Sequence, residues 1–193
     1  MKSICKVQRA KIYLLTSLFL LISGTVSAQN NAVKLTFLGW ITGSTKISYE
    51  RAFGVNLPQS GELALGIIGA GYDKFKNNPR GITLRYGHKF FIGKHESPLK
   101  GFFLRPELIG TSYTYDSAAT KERTSSKMIA VLATAGYQYT ISHFIADFWI
   151  GSGYCAGTPA DTGYEHGFTV WNYLGTYNPH ITMSFSIRMG YCF

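Results

Sequence analysis

Residues 181–193 read ITMSFSIRMGYCF and alternate strictly between two kinds of side chain. One set is apolar throughout: Ile181, Met183, Phe185, Ile187, Met189, Tyr191 and Phe193. The other set is small or polar: Thr182, Ser184, Ser186, Arg188, Gly190 and Cys192. A period of two indicates a β-strand, and the segregation of the two sets gives this strand one apolar and one polar face.

The same alternation recurs along the chain without any helical period. It predicts eight strands, at about 32–41, 45–53, 61–73, 80–93, 100–115, 126–141, 143–156 and 180–193. Several match the roughly 9–11 residues that a tilted strand needs to cross a bilayer. The predicted connections are short after strands 2, 4 and 6 (54–60, 94–99 and Ser142) and long after strands 5 and 7 (116–125 and 157–179). This asymmetry favours an all-β fold, an eight-stranded antiparallel up-and-down transmembrane β-barrel.

The first 28 residues have the features of a secretory signal peptide. Four basic residues precede an apolar stretch at 12–23, and Val26-Ser27-Ala28 fits a cleavage site. We therefore expect a signal peptide at 1–28 and a barrel at 29–193. Four of the 19 basic residues lie in 1–28, which leaves 15 against 10 acidic residues and lowers the net charge from +9 to +5. This modest excess does not favour nucleic-acid binding.

Charged residues of the predicted strands fall on the polar face. With Phe193 on the periplasmic side, eight of them are expected to point inward in the periplasmic half of the barrel. They are Lys34, Glu50, Glu62, Lys89, Arg105, Glu107, Asp147 and Arg188, four bases and four acids. We expect an ionic network that fills a lumen too narrow for a solvent pore.

Cysteine and histidine spacing predicts neither a disulfide nor a metal site. Cys155 and Cys192 fall at opposite ends of the predicted barrel, much further apart than the roughly 7 Å limit between bridged Cα atoms. The five histidines lack ligand spacing, so we expect no metal and no cofactor.

Two segments carry a resemblance to known proteins. The strand ending at Phe193, with Tyr191 two residues before it, resembles the signal that directs outer-membrane proteins to the barrel-assembly machinery. The first hairpin, with Lys34 and with Tyr49-Glu50-Arg51, resembles a family of small eight-stranded bacterial outer-membrane barrels of unknown function. This resemblance implies a Gram-negative outer-membrane location.

Some eight-stranded outer-membrane barrels are enzymes that act on lipid A with Ser, His and an acidic residue. The candidates for such a site are Ser152, Asp161, Glu165, His166 and His180. A hydrolase needs a base within hydrogen-bond reach of its nucleophile, whereas Ser152 is expected on the outward face. His143 is expected at the periplasmic end, and its neighbours lack the His-x-Ser-Asn pattern of the lipid A deacylases. A lipid A-modifying enzyme and a narrow transport pore remain as alternatives to a structural or surface-interaction role.

The predicted outer loops suggest contacts at the cell surface. The connection 157–179 is rich in aromatic side chains that could bind a partner or cap the barrel: Tyr164, Phe168, Trp171, Tyr173 and Tyr177. Two further loops are basic and would meet lipopolysaccharide phosphates: Lys74, Lys76 and Arg80 in one, Lys121, Arg123 and Lys127 in the other. We expect a monomeric, non-enzymatic barrel with a structural or adhesive role, whose partners are outer-membrane lipids including lipopolysaccharide.

Overall fold

The computed structural model describes residues 30–36, 40, 43–53, 58–73, 76–93, 98–117, 120–158, 180–193 and the backbone of 170–171. Nine strands lie in this part of the chain: β1 (Asn31–Thr36), β2 (Ser44–Ala52), β3 (Gln59–Ile68), β4 (Arg80–Ile92), β5 (Gly101–Asp116), β6 (Arg123–Ile141), β7 (Phe144–Gly157), β8 (Val170–Trp171) and β9 (Ile181–Cys192). Within the described residues no helix is long and apolar enough to span a membrane. The fold is all-β.

Eight of the strands close into a barrel. Each of β1 to β7 pairs antiparallel with the next barrel strand, with β9 following β7, and β9 pairs back to β1 from Ala32↔Cys192 to Thr36↔Arg188. The two-residue β8 is additional and pairs with β9 at Met183 and Ser184. The prediction of an eight-stranded antiparallel up-and-down barrel is confirmed. β8 lies within the predicted long connection 157–179 and was not foreseen.

The two ends of the barrel differ in their connections. At the end that holds Phe193, called the Phe193 end, Ser142 and His143 join β6 to β7, and Ser142 has φ 50, the left-handed conformation that such tight hairpins use. At the other end, called the Gly157 end, 23 positions that include β8 separate the end of β7 from the start of β9. The predicted long connection over 116–125 is wrong. The ladder continues to Asp116↔Arg123, where the two side chains form an ion pair at 2.9 Å.

Strand β3 ends five residues earlier than the sequence predicts. The chain leaves the ladder after Ile68, because Gly69 adopts φ +91 in the left-handed region. Gly69 N–H donates to Gly43 O at 2.8 Å, so its backbone turns toward the β1–β2 connection instead of extending. The residues that follow, up to Pro79, lead into β4.

Burial alternates along every long strand. β2 shows the pattern most simply, with Ser44, Lys46, Ser48 and Glu50 buried and the intervening side chains exposed. The exposed set is apolar on most strands, as with Leu63, Leu65 and Ile67 of β3, while the buried set is largely polar. The polarity of a water-soluble barrel is therefore inverted, since such a barrel keeps its apolar face inside.

Most apolar residues inside the barrel lie in clusters toward its ends. The cluster at the Phe193 end contains Ala32, Ala52, Phe91, Leu99, Phe103, Ile145, Trp149 and Cys192. Leu99 comes from the β4–β5 connection and is completely buried, and its carbonyl accepts hydrogen bonds from Gln138 and Thr140. Leu99 therefore packs into the mouth of the barrel and helps to close it. Cys155 lies in a second cluster with Met128, and the two cysteines of the described residues, Cys155 and Cys192, form no disulfide bond.

Replacing Gly69 by Ala tests the early end of β3. The new methyl group would overlap the carbonyl oxygen of Pro79, in a backbone conformation that side chains disfavour. We expect G69A to lower the unfolding free energy by about 2–3 kcal/mol. Gly93 is a matched control, because it also has positive φ but a Cβ there would meet no atom within 4 Å.

The measurement is urea-induced unfolding in detergent micelles, followed by tryptophan fluorescence. G93A should cost only about 1 kcal/mol, the contribution of the conformation alone. Equal losses in the two variants would show that the Pro79 contact does not fix this strand end.

Candidate functional site: an ionic network inside the barrel

The candidate site consists of ten ionisable side chains that are buried inside the barrel among the described residues. All eight residues predicted from the sequence belong to it. Lys46 and Arg85 are two further members, so the interior holds six bases and four acids. The predicted balance of four against four is therefore wrong. Both additional residues share the strand parity of predicted members, Lys46 with Glu50 and Arg85 with Lys89, and this parity was the signal that could have identified them.

Two lysines and three carboxylates form the centre of the network. Lys34 Nζ lies 2.5 Å from Glu50 Oε2, 3.0 Å from Glu62 Oε2 and 2.8 Å from Asp147 Oδ2. Lys89 Nζ contacts the same three oxygens at 3.1, 3.2 and 2.9 Å. Each ammonium group therefore bridges all three acids. This arrangement offsets the high cost of removing their charges from water.

The second layer of the network is built from arginines. Arg188 binds Asp147 with two nitrogens, Nε to Oδ1 at 2.9 Å and Nη2 to Oδ2 at 2.8 Å, and also contacts Glu62. Such two-point pairing is the strong form of a charge-assisted hydrogen bond. Arg105 Nη2 lies 3.2 Å from Glu107 Oε2, and Arg85 Nε lies 3.2 Å from Glu107 Oε1. Glu107 thereby links two cations toward the Gly157 end.

Two of the guanidinium groups lie against the same aromatic ring. The Cζ atoms of Arg105 and Arg188 lie 4.4 and 4.2 Å from the centre of the Trp149 ring. Attraction between each cation and the ring helps to hold these like charges in one small volume. Gly87 leaves room for the stem of Arg105, since a Cβ there would approach Arg105 Cδ to 2.7 Å.

All eight barrel strands contribute to the network. The ionisable members lie on seven of the strands, and β6 supplies Gln138 and Thr134. Gln138 Oε1 accepts a hydrogen bond from Lys89 at 2.5 Å, and Thr134 Oγ1 accepts one from Arg105 Nε at 3.1 Å. Contacts such as Lys34 to Asp147 join residues 113 positions apart in the sequence. The network therefore cross-links the wall of the barrel through its interior.

The carboxylates do not form an open cation site. Glu50, Glu62 and Asp147 could each offer one ligand atom within 4.8 Å of the others. Lys34 and Lys89 already approach these oxygens and supply two positive charges. The sequence prediction of an ionic lumen thus corresponds to a tightly packed group of charges, in which the ammonium groups stand where a metal ion would bind.

The family comparison covers most of the chain. Residues 14–175 match the family described as Protein of unknown function (DUF3575). The chain belongs to this family. The matched range includes the network residues from β1 to β7 and stops before β9, which carries Arg188. No curated protein and no solved structure matches the chain.

The other predicted residues of this DUF3575 chain are dispersed. Ser152 is exposed on the outward face, while His180 Nδ1 lies 3.1 Å from Cys155 O and its ring stacks on Tyr154. His143 lies at the Phe193 end beside Tyr191. Tyr191 is half exposed, and Phe193 stacks with it at a centroid distance of 6.5 Å.

Some predicted residues lie outside the described part of the chain. These are Asp161, Tyr164, Glu165, His166, Phe168, Tyr173, Tyr177, Lys74 and the side chain of Trp171. Of the predicted basic loop residues, Arg123 belongs to β6 and not to a loop, which corrects its assignment. Arg80 and Lys127 lie in β4 and β6, in agreement with the predicted strand bounds 80–93 and 126–141. Lys76 and Lys121 lie in connections at the Gly157 end and have positive φ.

Replacing Asp147 by Asn tests whether the network stabilises the barrel. The side chain keeps its size but loses the charge that pairs with Lys34, Lys89 and Arg188, leaving these cations undercompensated. We expect the unfolding free energy to fall by about 3–5 kcal/mol. The change is measured by urea unfolding in micelles.

The matched control is Asp116→Asn, which removes the partner of Arg123 at the exposed rim. An exposed ion pair contributes little, so the free energy of unfolding of this variant should be close to that of the parent protein. The double variant D147N/R188Q should recover part of the loss, because it removes one of the uncompensated charges. A D147N variant as stable as D116N would contradict a stabilising network.

Proposed function

We propose that this protein is a non-enzymatic outer-membrane β-barrel of Gram-negative bacteria, exported by its signal sequence, with a structural and surface-interaction role. One observation carries the proposal, the inverted distribution of polarity over the wall. Ten ionisable side chains are buried inward, whereas outward charges in the described strands lie near strand ends. A bilayer stabilises an apolar outer wall of this kind, and water does not.

Aromatic side chains near both ends of the barrel support this location. Phe53, Phe90, Phe102, Phe144 and Tyr191 are exposed toward the Phe193 end. Trp40, Tyr72 and Tyr154 are exposed toward the Gly157 end. Belts of aromatic residues at two heights are typical of proteins that contact both interfaces of a membrane. In the proposed orientation the Phe193 end faces the periplasm and the Gly157 end faces outward.

The filled interior favours a structural role over a pore. Lys34, Glu50 and Lys89 are completely buried, and Leu99 is packed into the mouth at the Phe193 end. A conducting barrel would need water along its whole length, and this packing opposes a continuous water column. The outward position of Ser152 likewise opposes a hydrolytic site shared with His180. Interaction with other molecules would then fall to the rims and to the connection after β7.

A single charged substitution tests the location in a bilayer. Val131 is 59% exposed in the middle of the outer wall, opposite Leu108 and Tyr154. If this face contacts lipid, Val131→Arg should destabilise the folded protein in phosphatidylcholine vesicles, lowering its free energy of unfolding by about 2–4 kcal/mol. Heat-modifiable gel mobility measures the folded fraction over a urea series.

Ser125→Arg is the matched control, since Ser125 is exposed near the start of β6 at the rim. It should fold as the parent does. A V131R variant that folds equally well, or that dissolves as a monomer without detergent, would argue for an aqueous environment. Single-channel recordings of the reconstituted parent should be silent, and steady conductance would favour the pore.

The aromatic connection is proposed as the contact region, on the basis of its sequence. Tyr164, Phe168, Trp171, Tyr173 and Tyr177 offer rings that stack on sugars. Vesicles bearing the protein should bind to an array of immobilised glycans, and replacement of these five residues by Ser should abolish the binding. The control replaces Tyr72, Tyr154 and Trp40, which lie on the barrel wall or rim. Equal binding by the two variants would contradict a role for the connection.

A further inference from the structure

The outer wall contains an apolar groove that runs across β4, β5 and β6. Its volume is about 560 Å³, within the roughly 300–1,000 Å³ of pockets that bind small ligands. The floor is Gly110, where a Cβ would meet no atom within 4 Å. Ile82, Leu84 and Ile129 form its sides. We call this depression the Gly110 groove.

The groove arises from a change of side-chain size along β5. The outward residues Phe102, Leu104 and Leu108 are large, and they are followed by Gly110 and Ser112. Gly110 lies opposite Leu84 on one side and Ile129 on the other. Ala156 of β7, the partner of Ile129, is also small and lines the groove. Gly110 and Ser112, two small residues on the same face of β5, extend the depression by about 7 Å along this strand.

Positive charge lies at one end of the groove. Lys127 lines it opposite Ser112, and Arg80 is the outward residue that precedes Ile82, at the Gly157 end. Arg123 and Asp116 lie further along the same rim and pair with each other. The strand ends around the groove therefore carry a surplus of two positive charges above an apolar floor. A molecule with an anionic head and an apolar tail is complementary to this arrangement.

We propose that the Gly110 groove binds one acyl chain of lipid A, with Lys127 and Arg80 contacting its phosphate. The inference rests on the proposed outer-membrane location, since the Gly157 end then lies in the leaflet that contains lipid A. A lipid chain fills the space that the missing side chain leaves, and the cations form charge-assisted bonds to the phosphate oxygens. This assigns a specific lipid contact to one side of the barrel.

The test measures how many lipid A molecules remain bound after the protein is released from vesicles. The parent is reconstituted in phosphatidylcholine vesicles that contain diphosphoryl lipid A, transferred to mild detergent and analysed by native mass spectrometry. We expect one lipid A to be retained. Filling the groove with Gly110→Phe should reduce retention by about tenfold, and Lys127→Gln should reduce it by about three- to tenfold.

Two controls separate the groove from the rest of the surface. Ala135→Phe adds the same ring at an outward position of β6 outside the groove, and Lys100→Gln removes a cation next to β5 at the Phe193 end. Both should retain lipid A as the parent does. Equal retention by G110F and A135F would overturn the inference, as would equal retention of phosphatidylglycerol by the parent.

The folded fraction in the vesicles is recorded for each variant by heat-modifiable mobility. A parent protein that does not fold into vesicles would refute the proposed outer-membrane location itself. A parent that folds but retains no lipid A would refute the groove alone. A G110F variant that fails to fold is replaced by Gly110→Leu, which fills the groove with the type of side chain already present at Leu84.

Discussion

Charge inside a closed barrel is stable only when each group meets partners of opposite sign, and here many of those partners lie on distant strands. Asp147 on β7 binds Arg188 on the neighbouring strand β9, and it also meets Lys34 on β1, which is not a neighbour of β7 in the sheet. The contact of Lys34 with Asp147 forms only after β1 has paired with β9 and closed the wall. Barrel closure and charge compensation therefore depend on each other, which favours cooperative assembly of the fold.

The same constraint determines where the hydrophobic residues go. A lumen filled with ten ionisable groups leaves room inside for apolar clusters mainly near the ends, such as Phe91, Leu99 and Phe103. The remaining apolar side chains are displaced to the outer wall, where Ile82, Val131 and Ile150 are each about 60% exposed. The hydrophobic effect can stabilise this arrangement only through a non-aqueous surrounding. The interior chemistry and the proposed environment thus support each other.

Alternation in the sequence predicted the face of each side chain because strand geometry has a fixed period of two. It placed Glu62, Arg105 and Asp147 inside correctly. Parity does not give depth, however, because strand tilt and the ends of the ladder decide whether an inward residue faces the lumen or the mouth. Lys46 and Arg85 share the parity of the predicted residues but lie nearer the Gly157 end, outside the half of the barrel to which the prediction was limited. β3 ends at the left-handed Gly69, and the ladder between β5 and β6 extends to the Asp116–Arg123 pair, features that a pattern of hydrophobicity does not contain.

In strand β5 the inward face belongs to the stabilising ionic network, whereas the outward face forms part of the outer surface of the barrel. Its inward residue Arg105 contacts Glu62 of β3 and Thr134 of β6, and Glu107 contacts Arg85 of β4, so a change at either residue affects stability first. Its outward residues from Phe102 to Ser112 face away from the network, and Gly110 leaves the wall incompletely covered there, whereas Asp116 pairs with Arg123 at the rim. Outward positions are therefore free to vary with whatever lies against them. In a barrel whose lumen is filled, contact with other molecules falls to this outer surface, to the rims and to the connection after β7.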